Sequence, residues 1–201
     1  MVSAKRKPAG KDGRATTSRK RRRSPVQVRN TWLMVGGAAA LVVTGLVVWR
    51  LGAGSPPVPA LAAVENVPVE GRQHVPASVS PEYRSLPPTS GPHYDGVALP
   101  GFHETLPQLG LLVHNLEHGH VVIYYHPDAL SDEVAEHLQK LTRWYTGPWD
   151  AVLAVPWRDD PEHPLILTAW GKRLPLRAYD RAAVDAFVDA YRGRGPEHPV
   201  R

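Results

Sequence analysis

VHNLEHGHVVIYY, residues 113–125, is the stretch on which the fold turns. Its second half, His120 to Tyr125, is a β-branched and aromatic run of strand length. Its first half crowds His114, Glu117 and His118 up to Gly119, so a turn or short helix ends at His118 and the strand begins near His120. Downstream, Asp132 to Tyr145 reads as a helix. Ser131 is placed to cap it, Asp132 and Glu133 suit its positive end, Leu130, Val134, Leu138 and Leu141 form an apolar stripe, and Gly147-Pro148 stops it. Ala151 to Val155 and Leu165 to Trp170 are two further strands, separated by the turn-rich Arg158-Asp159-Asp160-Pro161. A second helix starts at an Asp180 cap, gathers Val184, Phe187, Val188 and Tyr191 on one face, and ends at Gly193 and Gly195. The order strand, helix, strand, strand, helix predicts a small α+β domain with two helices packed on one sheet and Pro-rich loops. No internal repeat is visible.

Upstream the composition changes character. Residues 32–49, WLMVGGAAALVVTGLVVW, are free of charge and lie between Arg29 and Arg50. At 1.5 Å per residue such a helix spans most of a hydrocarbon core about 30 Å thick. Tryptophan at each end suits the interfacial belts, and the eleven Lys and Arg residues before position 30 predict a cytoplasmic N-terminus. The reading is a disordered basic cytoplasmic tail (1–31), a transmembrane helix (32–50), a Gly/Pro/Ala linker (51–64) and an extracytoplasmic α+β domain (65–201) at the plasma membrane. A cleaved signal peptide competes, with Ala60-Leu61-Ala62 as a weak site, but the apolar run and basic region are longer than such signals use. The Arg21-Arg22-Arg23 run lacks the apolar pair that a twin-arginine signal wants. The expected partners of the tail are the bilayer and its anionic head groups. Nucleic acid is not expected, since no aromatic residue precedes Trp32. A protein partner is not indicated.

From Leu51 onward the chain carries twelve basic and eighteen acidic residues, so the basic balance belongs to the tail. With no cysteine, disulfides, thiolate nucleophiles and thiolate ligands are excluded together. The methionines, Met1 and Met34, precede the domain, which removes a thioether-rich Cu(I) site. Imidazole remains, and His93, His103, His114, His118, His120 and His126 place six of the ten histidines within a short span. If the 114–120 run is helical, His114 and His118 share a face beside Glu117; if extended, His114, His118 and His120 have the same parity. Either way His93, His114, His118 and His120 with Glu117 are candidates for a polar or divalent-metal site, zinc or copper being the expected ions.

Other chemistries fit the residues less well. H-x-x-E-H is also the motif of the inverted zinc proteases, but Gly119 and the β-branched residues cut the helix that such a site requires. Pro87 to Tyr94, PPTSGPHY, is a rigid turn presenting Ser90, His93 and Tyr94, and a Ser90/His93/Glu117 hydrolase lacks the strand-to-helix elbow for its nucleophile. Histidines near a strand entrance also tie loop backbone, so a non-catalytic cell-envelope interaction module stays open beside metal binding and a metal-dependent hydrolase with Glu117 as base.

PPTSGPHY (87–94), VHNLEHGHVVIYY (113–125) and LTAWG (167–171), in this order, resemble the bacterial family of domain of unknown function 3105. The resemblance covers roughly residues 65–195. It implies that His93, His114, Glu117 and His118 are the marked positions, with Ser90 and Tyr94 alongside and His120 less secure, and that the layout includes one N-terminal anchor. It implies no reaction, cofactor or substrate.

Overall fold

The computed structural model describes residues 59–201; the expected tail and transmembrane helix, and residues 51–58 of the expected linker, lie outside the described residues. Among the described residues no helix is long and apolar enough to cross a membrane. A 3-10 turn at Pro59–Leu61 comes first among the described residues, and its Ala60 and Leu61 pack against the core.

One six-stranded mixed sheet organises the domain. In chain order the elements are β1 (Glu65–Asn66), β2 (Gly101–Phe102), α1 (Leu109–Glu117), β3 (Val121–Tyr125), α2 (Asp132–Trp144), β4 (Val152–Pro156), β5 (Leu165–Ala169), β6 (Lys172–Leu176) and α3 (Arg181–Tyr191). Across the sheet they run β1-β6-β5-β3-β4-β2. β3 lies parallel to β4, which needs a crossover, and α2 supplies it. β3 also pairs antiparallel with β5, so the strand of the VVIYY run is central and wholly buried.

Burial of β3 on both faces changes the expected architecture. Val121, Ile123 and Tyr125 point into a core closed by Val134, Leu138 and Leu141 of α2 and Val184, Phe187 and Val188 of α3. Val122 and Tyr124 point the other way, into a second core with Leu112 and Leu116 of α1, Leu153, Ile166 and Trp157. Three helices therefore cover the two faces of the sheet, where two packed helices were expected, and the α+β class holds. The additional one is α1, which ends at the expected place, with His118 as its C-cap; its N-cap Gln108 makes no side-chain capping bond, so its start carries no sequence signal. β6 carries no clear strand signal because Lys172, Arg173 and Pro175 interrupt its alternation, and it is fixed instead by five-residue pairing with β5.

The two longer helices follow their sequence signals. Ser131 Oγ accepts from Val134 N at 3.4 Å, and Asp180 Oδ1 accepts from Ala183 N at 3.0 Å.

Two backbone junctions place the site. Gly119 (φ +89°) follows α1 in a left-handed conformation, and a Cβ there would lie 2.7 Å from Gly195 N and 2.9 Å from Trp149 O. The segment after α3 crosses at this point, held by Gly193 N to Gly119 O (2.8 Å) and Glu197 N to Glu117 O (3.3 Å). On the other side, His74 and His93 form an isolated parallel bridge, with His93 N donating to Gln73 O (2.9 Å) and Val75 N to His93 O (2.7 Å).

Candidate metal centre

Side chains from three separated segments converge at the C-terminal end of α1. His74, His93, His114 and Glu117 each direct one ligand atom into a common space, and these atoms all lie within 4.8 Å of one another. The three imidazole rings form a near-equilateral triangle with centroids 4.7, 5.0 and 5.0 Å apart. His93, His114 and Glu117 are buried, whereas the His74 side chain is about half exposed.

The outer nitrogens are committed to the scaffold. His93 Nδ1 lies 2.8 Å from Gly91 O and His114 Nδ1 2.8 Å from Tyr94 O; a carbonyl only accepts, so each Nδ1 carries the proton. His74 Nδ1 faces Asp95 Oδ1 at 2.8 Å. In each neutral ring the Nε2 lone pair is therefore left for the interior, the arrangement by which carbonyl and carboxylate partners orient metal-binding histidines. His114 is further held in its neutral form: burial first, then His118 and His93, push its pKa below the ordinary value against the pull of the Tyr94 carbonyl.

Glu117 completes the set. Its Oε1 accepts from Arg72 Nε at 2.6 Å, leaving Oε2 3.0 Å from His93 Nε2 and 3.7 Å from His74 Nε2. Burial raises the carboxyl pKa, but the Arg72 hydrogen bond and the neighbouring His93 outweigh it and hold the group below the usual range. The contact with His93 is close without being a hydrogen bond. His93 Nε2 is buried and has no hydrogen-bond partner, because a proton on it would not point along the line to Oε2. His93 Nε2 and Glu117 Oε2 thus face each other across 3.0 Å outside hydrogen-bond geometry.

A second group adjoins the first. His114, His118 and Glu197 also bring ligand atoms within 4.8 Å of one another, with His118 Nε2 3.0 Å and His114 Nε2 3.9 Å from Glu197 Oε2. His118 Nδ1 donates to Pro148 O at 3.2 Å, and its ring lies against Trp149 at 4.4 Å.

A family described as protein of unknown function (DUF3105) matches residues 74–201. The chain belongs to this family. No curated protein and no solved structure matches it. The match begins at His74 and contains every histidine of the two groups, so both are assembled within the DUF3105 region.

Of the residues singled out in the sequence, the structure brings His93, His114 and Glu117 into one group, places His118 with His114 in the adjoining one and sets His120 aside. His120 Nε2 donates to Pro148 O (2.9 Å) and Nδ1 accepts from Asn115 Nδ2 (2.9 Å), so neither nitrogen is free for a ligand. Asn115 in turn clamps both backbone groups of Ala98, making His120 part of a brace under α1. Ser90 is also structural: its Oγ accepts from Glu70 N at 2.9 Å, and His93 Nδ1 is spent on Gly91, so no Ser90/His93 nucleophile pair exists. Tyr94 contributes its carbonyl to His114 and its hydroxyl to Val79 O. Sequence reasoning missed His74, Arg72, Asp95 and Glu197. Asp95 lies two residues past His93, but Arg72, His74 and Glu197 lie outside the histidine-dense run, and the usable signal for His74 was only its place among the ten histidines.

The brace gives a pH prediction. Burial lowers the His120 pKa from 6.5 to about 4, against the opposing effect of the Pro148 hydrogen bond. The unfolded state then binds more protons than the folded one between those values, so this stabilisation is complete above pH 6.5 and is lost as pH falls toward 4. The loss amounts to about 3 kcal/mol. In urea titrations with chelator present, His120→Gln should flatten the acid slope of stability relative to wild type; parallel slopes would contradict the assignment.

Proposed function

We propose that this chain is a membrane-tethered extracytoplasmic protein whose DUF3105 domain binds a divalent transition ion, zinc or copper, through His74, His93, His114 and Glu117. The observation that carries the reading is the buried, unpartnered Nε2 of His93 opposite the Glu117 carboxylate. A cation held between them would take one donor atom from each, satisfying an Nε2 that otherwise makes no hydrogen bond. The 3.0 and 3.7 Å spacings also bracket the edge of a tetrahedron with bonds of 2.0–2.1 Å, about 3.3 Å. Three imidazoles and one carboxylate, without sulfur, suit zinc or copper better than magnesium or calcium, which prefer oxygen.

The same geometry argues for holding an ion over hydrolysis. A carboxyl held below its usual pKa range and clamped by Arg72 is a weak base, so Glu117 is suited to ligation and no reaction is assigned. His93 and His114 brace loops as well, but they do so through Nδ1 and leave Nε2 unspent on that backbone.

Full-length protein, purified without a histidine tag and stripped with chelator, should take up zinc or copper tightly in competition titrations; no uptake of either ion removes the proposal. The topology rests on the apolar run 32–49 and the basic residues before it. Because the chain lacks cysteine, single cysteines report on it cleanly. In intact cells a membrane-impermeant maleimide should label Val200→Cys and leave Thr16→Cys untouched; the reverse pattern defeats the membrane reading.

A further inference from the structure

The two histidine groups share His114, and that residue can serve only one of them at a time. Its Nδ1 is committed to the Tyr94 carbonyl, so it offers a single lone pair, at Nε2. His114 belongs both to the inner set with His74, His93 and Glu117 and to the outer set with His118 and Glu197, and Nε2 is the one atom it has to offer either. An imidazole bridging two ions would need both nitrogens. We propose that the domain has two alternative, mutually exclusive positions for one ion: an inner one on His74, His93, His114 and Glu117, and an outer one on His114, His118 and Glu197. The inference rests on the metal-binding reading above and adds a second station to it.

The outer position is built by backbone as well as side chains. Glu197 is brought to His118 by the segment that crosses Gly119, through the bonds from Gly193 N to Gly119 O and from Glu197 N to Glu117 O. His118 has its Nδ1 turned outward onto Pro148 O, so its Nε2 lone pair faces Glu197 Oε2 at 3.0 Å. Its exposure differs from that of the inner set: the His118 and Glu197 side chains are 18% and 40% accessible, against 0% and 4% for His93 and Glu117. Two imidazoles and one carboxylate leave coordination positions open to water, which favours exchange with an outside donor or acceptor of the ion. The inner set surrounds the ion more fully and holds it. With His114 retained throughout, the ion would trade His74, His93 and Glu117 for His118 and Glu197 and pass between the positions without release.

Sharing dictates a pattern of binding that separate sites would not give. Wild type should bind one zinc ion per chain at saturation. His93→Ala, or the nearly isosteric Glu117→Gln where the void at position 93 prevents folding, should still bind one ion, roughly 100-fold more weakly. Adding Glu197→Gln to either variant should abolish that residual binding, and Glu197 is exposed enough that the fold should survive the change. With Cu²⁺ as probe, pulsed electron paramagnetic resonance should count three imidazole nitrogens in wild type and two in the inner-set variants. Two ions per wild-type chain, or a folded inner-set variant that binds none, overturns the shared-ligand proposal while leaving the inner site intact. No ion bound by wild type overturns the metal reading itself.

Discussion

Alanine at position 119 is expected to cost about 3 kcal/mol or more of folding stability, a large fraction of what a domain of this size has. Two penalties combine. The backbone at Gly119 has φ +89°, where a side chain is strained, and the new Cβ would meet Gly195 N at 2.7 Å and Trp149 O at 2.9 Å. Both obstacles are backbone atoms and cannot rotate away. The crossing is tight in the other direction too, since a Cβ on Gly195 would run into Gly119 N and Glu117 O. Gly101 supplies the control: its φ is +149°, but open space surrounds the position, so Gly101→Ala carries strain without collision. Thermal unfolding with chelator present should show Gly119→Ala melting roughly 10 °C below wild type, with Gly101→Ala between them. Equal melting temperatures for the two variants would mean that the 193–197 segment is not seated on Gly119.

His93→Ala should lower affinity for zinc or copper by on the order of 100-fold or more, since even partners one step removed from a metal are typically worth 10–100-fold. His93 is fully buried, its Nδ1 is fixed by Gly91 O, and its Nε2 has no partner other than the proposed ion. A structural histidine would behave differently: its removal would reduce stability and leave affinity unchanged in the folded fraction. The discriminating measurement is therefore competition titration beside chelator-treated urea unfolding. A fall in stability with affinity within about twofold of wild type would assign His93 to bracing, because a twofold change is far below the effect of a lost ligand.

The parts of this molecule that could be read directly from its residues are those whose signals are local. Ser131 and Asp180 cap their helices as their positions suggested, and the VVIYY, AVLAV and LILTA runs are strands because each presents apolar atoms to two covered faces. α1 and β6 were obscured, the first by an uncapped start and the second by charge and proline in a strand held only through its pairing. At the site, the run from His114 to His118 was legible because helical spacing places those residues near one another. His120 has the same parity in an extended reading, but a helix that ends at Glu117 turns its ring beneath the chain, onto Asn115 and Pro148. His74 and Glu197 come to the site through long-range backbone pairing, with His93 in one case and with Glu117 in the other, and nothing in their neighbouring residues announces it.

The parallel bridge between His74 and His93 has a thermodynamic consequence. It joins segments that are remote in the unfolded polymer, where the inner-set ligands drift independently and offer an ion little chelation. An ion that recognises only the assembled arrangement adds its binding free energy to folding, about 2.7 kcal/mol at a free concentration one hundred times the dissociation constant. The melting point of this domain would thus report the local supply of its metal, and starvation for the ion would appear first as turnover of the protein.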